Sequence, residues 1–322
     1  MVNIRDVRTS NGVFKQTNSG LVAVFVGATS GIGMGTLKQF AKNANSPTIY
    51  ILGRSQSAAK PLLDELSTSN SKAVLNFIET EVSLMKNVDK ACDEIKFKET
   101  KRRRNRHPAS PTLLHPSPLH LQPPRPPPRI AQPARNLHPR RRAESEIDLS
   151  DLELKANYSG LKAMSSGTTQ TTLAFEELAK TNPSVTFIHK YPGFVDTGVV
   201  DRLLRDTTGL WALPATFARW FILPILDCFA TSTDEAGERG VFLATSARFP
   251  PLKKPDGWEA AAVPLPEGVK EISEETGAYR LGAKDESVDA VPVLVRYRQE
   301  GAGEKVWEST LAVWERALAR SG

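Results

Sequence analysis

The chain has 322 residues, 40% of them hydrophobic and 24% charged, which fits a soluble globular protein built on one large core with appendages. Its two cysteines, Cys92 and Cys228, exclude a disulfide framework, and the N-terminus lacks the charged stretch, apolar run and cleavage site of a secretory signal, so a cytoplasmic protein is expected. The net charge of +6 is concentrated in residues 101–142, which hold 11 of the 42 Lys and Arg and no acid, leaving 31 basic against 36 acidic residues elsewhere; the folded part is acidic, and nucleic acid is not an expected partner.

Residues 1–20 are polar and end in a turn at Asn18, Ser19 and Gly20, a lead-in with room for a short helix. Residues 21–26, LVAVFV, are too few for a buried helix and rich in β-branching, which predicts a strand covered on both faces. Gly27, Gly31 and Gly33 follow in G-x-x-x-G-x-G spacing, with Ser30 and Ile32 between them, and Leu37, Phe40 and Ala41 then recur at helical spacing. In such a strand, glycine turn and helix, the missing Cβ atoms let the backbone approach a pyrophosphate, whose charge is stabilised by the free N–H groups of the helix N-terminus. The stretch predicts a dinucleotide cradle.

After a break at 43–47, residues 48–52, TIYIL, predict a second strand. Arg54 lies in the turn that follows. An acid there would pair with a ribose 2′-hydroxyl, whereas Arg can hold a 2′-phosphate, so NADP(H) is the expected cofactor. Residues 57–67 predict a helix and 73–79 a third strand. Then come Glu81, Val82 and Ser83, with Ser83 capping a helix over 84–97 that places Val88, Ala91, Cys92 and Ile95 on one face.

From 101 to 142 the pattern collapses. This segment holds 11 of the 23 prolines and four of the five histidines, and no Val, Gly, aromatic or acidic residue. Proline removes donors and the apolar residues are too sparse to bury, so no strand or long helix is expected. Three readings stay open: a basic nucleic-acid tail, an SH3-type ligand around residues 125–129, and translation through a wrong frame or a mis-assigned intron, which the abrupt change at both ends favours.

Residues 152–180 predict a helix in which Tyr158 and Lys162, four apart, project from one face. A strand is expected over 185–190, with His189 packed or exposed within it rather than catalytic, and then Tyr191, Pro192, Gly193, Phe194, Val195, Asp196 and Thr197. Residues 207–231 are the most apolar stretch, interrupted by two prolines, Arg219 and Asp227, so a spanning helix is not expected. A helix over 235–246, a strand over 277–281 and a helix over 306–318 complete the chain. No metal ligand set is expected.

The run G-A-T-S-G-I-G closely resembles the cofactor loop of the short-chain dehydrogenases/reductases, with Val26 where that family most often has Thr. Tyr158 and Lys162 match its Y-x-x-x-K, and Pro192, Gly193, Val195 and Thr197 match its P-G-x-V-x-T, in the family order. The resemblance covers residues 20–97 and 149 to the C-terminus. It implies an α/β doubly wound parallel sheet of strand order 3-2-1-4-5-6-7, truncated here because the fourth and fifth strands would fall where the Pro/Arg segment stands. A direct pairing of the first strand with residues 185–190 is therefore expected.

The resemblance also implies roles. Gly27, Ser30, Gly31, Ile32 and Gly33 would cradle the pyrophosphate, and Glu81, one methylene longer than the usual Asp, would meet the adenine amino group beside Val82. Pro192, Gly193, Val195 and Thr197 would meet the nicotinamide carboxamide. Tyr158 would protonate a carbonyl oxygen as hydride arrives, and Lys162 would lower its pKa and hold the nicotinamide ribose. Ser145, thirteen residues before Tyr158, is the candidate for the family's catalytic Ser. The implied protein is an NADP(H)-dependent reductase of a small, bulky, apolar molecule, with residues 207–231 as substrate lid or membrane-surface contact, and with a homo-oligomer as one arrangement. The alternative is a non-catalytic or defective nucleotide-binding relic. The expected organisation is a lead-in (1–20), the first half of the domain (21–99), the Pro/Arg segment (100–143) and the second half (144–322).

Overall fold

The computed structural model describes residues 1–17, 19–104, 129–133, 144–197, 230–273, 275–288 and 291–319. The N-terminal lead-in is a full helix, α1 (Ile4–Thr17), which buries Val7 and Phe14. The first half then alternates strand and helix: β1 (Val22–Val26), α2 (Gly31–Asn43), β2 (Thr48–Gly53), α3 (Gln56–Ser69), β3 (Val74–Glu79) and α4 (Met85–Arg104). All three strands are parallel, in the order β1-β2-β3, with Val22 opposite Thr48 and Thr48 opposite Val74.

Successive residues of β2 feed opposite layers, as the pleat requires. Ile49 and Ile51 pack with Leu37, Phe40, Leu62 and Leu66 of α2 and α3. Tyr50 and Leu52 pack with Val22, Ile78, Ala91 and Ile95, the last two from α4.

The second half comprises β4 (Arg129–Pro133), α5 (Gly160–Thr181), β5 (Thr186–Lys190), α6 (Thr233–Thr245), α7 (Trp258–Ala261), β6 (Ala278–Leu281), α8 (Pro292–Gln299) and α9 (Ala302–Ala319). Its strands form a second parallel sheet, β4-β5-β6. The architecture is the truncated doubly wound α/β fold, with three corrections of detail.

First, the Pro/Arg segment holds a strand after all: Arg129–Pro133 pairs with β5, Ile130 opposite Phe187 and Gln132 opposite His189. A strand made at a sheet edge needs donors on one side only, so proline at its end is tolerated. Its first four residues, 101–104, continue the helix α4 past the expected end at 97; residues 105–128 and 134–143 lie outside the described residues. Second, β1 does not pair with β5. Among the described residues β2 is its one strand partner, and β1 goes from a buried Val22 through three half-buried residues to an exposed Val26, where β2 is buried to its last residue but one. The sheet is interrupted beside β1, where the family's fourth strand would lie.

Third, the long helix starts at Gly160 rather than at 152. The Asp151 carboxylate accepts the backbone N–H groups of Lys155 (2.7 Å), Ala156 (2.9 Å) and Asn157 (3.3 Å), and Leu154 takes a left-handed φ of 53°. Local bonds of this kind compete with helix formation. Ser159 then caps α5 by accepting from the Lys162 N–H at 3.2 Å.

The halves are joined through α2 and α6. A Cβ on Gly35 would stand 2.3 Å from the Thr233 carbonyl oxygen, and one on Gly237 would stand 2.4 Å from the Gly35 carbonyl group, so only two glycines permit this approach of backbones. Val241 of α6 enters the α2 core, while Phe242 and Leu243 enter the core of Ile188, Tyr279 and Leu281. No helix among the described residues is long and apolar enough to cross a membrane.

Candidate active site

The glycine turn between β1 and α2 has the geometry expected of it. Gly27 and Gly31 take positive φ values of 68° and 57°, which L side chains adopt only with strain. A Cβ on Gly33 would come within 3.0 Å of Ala28 Cα and 3.1 Å of the Gly27 carbonyl oxygen. Ser30, in extended conformation, makes no side-chain capping bond to α2, so the first N–H groups of the helix, with Ile32 and Gly33 among them, are left without a side-chain cap. That is the donor array that favours an anion, and the turn fits a pyrophosphate.

A cavity of about 460 Å³ opens at the C-terminal ends of β2 and β3, lined by Arg54, Glu79, Glu81, Asn87, Lys90 and Glu94, with Ile78 and Ala91 at its floor. It gathers two of the candidate cofactor residues, Arg54 and Glu81, into one space. The Glu79 carboxylate accepts the Gln56 N–H at 2.8 Å, at the start of α3, and Glu81 accepts the Ser83 hydroxyl at 2.8 Å. Val82 packs on the α4 core. Lys90 and Glu94 were not among the candidate residues; their signal is the position of Ala91, a core residue, between them.

Residues 191–197 lead from β5 toward the glycine turn. Tyr191 donates its N–H to the Leu281 carbonyl (2.8 Å), and the Thr231 N–H is donated to the Phe194 carbonyl (2.8 Å). Pro192 is buried, Gly193 has φ 74° and Val195 bridges to Thr231. Thr197 meets the cradle: a Cβ on Gly31 would lie 3.3 Å from its methyl carbon. Below the loop Asp285, fully buried, binds Lys190 and Arg239, the latter at 2.7 Å. Burial pushes the Lys190 ammonium down, and Asp285 opposes it. Arg239 also reaches the Val2 carbonyl at 3.2 Å, so one buried carboxylate ties together the end of β5, α6 and the N-terminus.

The candidate catalytic residues are less well gathered. Tyr158 precedes α5 and is 75% exposed, so it and Lys162, also exposed, do not share a helical face as the spacing predicts. Ser145 is held by Thr169, whose hydroxyl accepts the Ser145 N–H (3.0 Å) and donates to its carbonyl (2.9 Å). Thr169 lies ~13 Å along α5 from its start at the usual helical rise, so the structure does not bring Ser145 to Tyr158.

Sequence reasoning missed the buried group next to it. Arg280 of β6 makes a two-pronged pair with Glu144. The Glu144 carboxylate accepts the Thr172 hydroxyl at 3.3 Å, and that hydroxyl meets His189 Nδ1 at 2.8 Å. His189 is packed in the strand as expected, edge-on to Phe175. Burial pushes its pKa below the ordinary 6.5, while Glu144 acts to raise it.

No family model matches the chain. Among curated proteins it is similar to oxidoreductase AN1596 of Emericella nidulans, 33% identical over 351 residues that take in 99% of this chain and 100% of the relative. It is also similar to oxidoreductase andH of Emericella variicolor, 27% identical over 98% of this chain and 97% of the relative, and to the NmrA-like family domain-containing oxidoreductase notO of an Aspergillus species, 28% identical over 100% and 97%. The 351-residue span exceeds the 322 residues of this chain, so that relative carries residues with no counterpart here. Among solved structures the chain is similar to the L-sorbose reductase of Gluconobacter frateurii complexed with NADPH and L-sorbose, at 13% identity over 84% of this chain and 98% of that one, TM-score 0.45. MalC reductase/Diels-Alderase of Malbranchea aurantiaca matches at 13% identity over 73% and 92%, TM-score 0.43. At TM-scores this low the likeness places no residue and no ligand.

Proposed function

The chain belongs to the short-chain dehydrogenase/reductase family of oxidoreductases, and we propose that it uses NADP(H) to reduce a carbonyl of a bulky apolar compound, or to run the reverse oxidation. The observation that carries this reading is the approach of Thr197, from the second half of the chain, to Gly31 of the cradle, where an added Cβ would stand 3.3 Å from the Thr197 methyl. It supports a single site spanning both halves, with residues 100–143 interrupting one nucleotide-binding domain over 21–99 and 144–322 and residues 1–20 leading into it.

The uncapped N–H groups at the start of α2 would hold the pyrophosphate, Arg54 the 2′-phosphate, and Glu81 with Val82 the adenine. Pro192, Gly193, Val195 and Thr197 would hold the nicotinamide end. When bound, NADPH supplies the hydride. The Tyr158 hydroxyl would hold the proton destined for the carbonyl oxygen. The Lys162 ammonium would hold the nicotinamide ribose. The Ser145 hydroxyl would orient the same oxygen once brought beside Tyr158. The apolar substrate class rests on the sequence of residues 207–231, which up to 229 lie outside the described residues.

A specific observation favours a second reading. Tyr158 is exposed, and Ser145 is bonded to Thr169 far along α5. That arrangement suits a chain that binds the cofactor and lacks turnover. Following NADPH consumption by absorbance against a panel of bulky apolar ketones and aldehydes, with binding measured separately, tests both. Turnover that is lost in Tyr158→Phe while binding persists supports the reductase. Binding without turnover on any member supports the relic.

A further inference from the structure

We propose that Lys90 is a second cation for the 2′-phosphate and thus a specificity-determining residue of this chain. The inference rests on the NADP(H) reading and deepens it. The cavity at the ends of β2 and β3 is lined by three carboxylates, Glu79, Glu81 and Glu94, and two cations, Arg54 and Lys90. By count it is acidic, which is unfavourable for a phosphate dianion.

Each acid has a partner of its own. Glu79 accepts the Gln56 N–H at 2.8 Å, Glu81 the Ser83 hydroxyl at 2.8 Å, and Glu94 pairs with Lys98 at 2.6 Å. Arg54 and Lys90 have no hydrogen-bond or ion-pair partner among the described residues. Glu94 is neutralised by Lys98, while Glu79 and Glu81 keep their charge in these hydrogen bonds, so Arg54 and Lys90 are the two cations that offset them. Arg54 alone would leave an entering dianion facing three carboxylates with a single cation; two cations bring the wall near balance.

Placement agrees with this role. Leu52 of β2 packs with Ala91 of α4, and Arg54 follows Leu52 by two residues, so the alternation of the extended chain directs it to the same face. The chain turns back after β3, so α4 descends past the strand ends with Asn87 above Ala91. Helical side chains lean toward the helix N-terminus, a geometry that suits reach of Lys90 toward Arg54, and both line the cavity. Glu81 and the apolar pair Ile78 and Ala91 line the same space. The nucleotide would lie between the two cations, with its phosphate shared.

Calorimetric titration of the full chain with 2′,5′-ADP and with 5′-AMP separates the 2′-phosphate from the rest of the nucleotide. Lys90→Gln keeps the length and helical preference of an exposed side chain, and its melting temperature is expected to match that of the parent. We expect Lys90→Gln to weaken 2′,5′-ADP about tenfold, as for one charge-assisted contact, with 5′-AMP unchanged and Lys90→Arg restoring most of the loss. Arg54→Gln is expected to do the same or more. Equal losses for both ligands, or no loss in Lys90→Gln while Arg54→Gln loses 2′,5′-ADP, overturn the assignment to Lys90 and leave the NADP(H) reading standing. A parent chain that binds 2′,5′-ADP no better than 5′-AMP overturns both.

Discussion

The two ends of the candidate site are built differently. At the nucleotide end the glycine turn, Arg54 and Glu81 each lie at a strand–helix junction of β1, β2 or β3, and the packing of those strands brings them together. At the catalytic end Ser145, Tyr158 and Lys162 come from a coil, a pre-helical turn and the first turn of α5, none of them set by a strand. The first arrangement needs only local structure and one sheet. The second needs a strand to deliver the Ser and a helix long enough to carry the Tyr, and here the sheet is interrupted beside β1. A nucleotide half-site set by one sheet is the less demanding of the two to build, because a catalytic constellation needs groups from several elements in one geometry.

The largest expected effect lies in the second half. Glu144→Gln leaves Arg280 buried without its charge partner, and a loss of about 3 to 5 kcal/mol in chemical denaturation is expected. The double change Glu144→Leu with Arg280→Met should recover most of it, since an apolar pair carries no desolvation cost. A small loss in the single variant would mean that the 144–149 segment is loosely held and free to move Ser145.

Next comes the joint between the halves. Gly237→Ala places a methyl 2.4 Å from the Gly35 carbonyl group, and about 2 kcal/mol or more is expected to be lost, although alanine is the better helix former by ~1 kcal/mol. Denaturation followed by the fluorescence of the five tryptophans, all in the second half, and by far-UV circular dichroism should shift together if the halves unfold as one unit. Separate transitions would break the single-domain picture.

A smaller effect is tied to pH. His189 titrates below its ordinary 6.5 in the folded chain because burial disfavours its charged form. Between the folded and unfolded values the unfolded chain binds the proton that the folded chain refuses, so stability is full above pH 6.5 and falls as the pH drops through that value toward the folded one. The groups facing the ring are Thr172, Phe175, Glu144 and Arg280. Melting temperatures of the parent and His189→Gln across this range should show a slope in the parent that the variant reduces.

The smallest stability effect belongs to Tyr158→Phe. The side chain is 75% exposed, so a change within about 0.5 kcal/mol is expected, alongside complete loss of any carbonyl reduction. A stability loss well beyond this would show that Tyr158 is packed in solution as a catalytic tyrosine on a complete helix would be.

What was legible in the sequence follows the same division. The cradle is read from glycines at fixed offsets between an apolar run and a helical repeat, all within residues 21–41, and the structure reproduces it with the positive φ values at Gly27 and Gly31. The start of α5 was misplaced because residues 152–158 continue an apolar rhythm, while the Asp151 carboxylate captures the backbone donors that a helix needs. β4 was illegible because Ile130 is the sole β-branched residue in Arg129–Pro133, and its pairing is supplied by β5. The Glu144–Arg280 pair joins residues with no shared local pattern: Arg280 lies opposite His189 in the sheet, and Glu144 sits in a coil held by Thr169 and Thr172 of α5.

The most direct test of the central claim, that the nucleotide half-site is formed and selects the phosphorylated cofactor, is calorimetric titration of the unmodified chain with NADPH and with NADH. The account predicts binding of NADPH ten- to hundredfold tighter than NADH, roughly the 1.5 to 3 kcal/mol of a charge-assisted 2′-phosphate contact. Equal affinity, a preference for NADH, or no binding of either would contradict it.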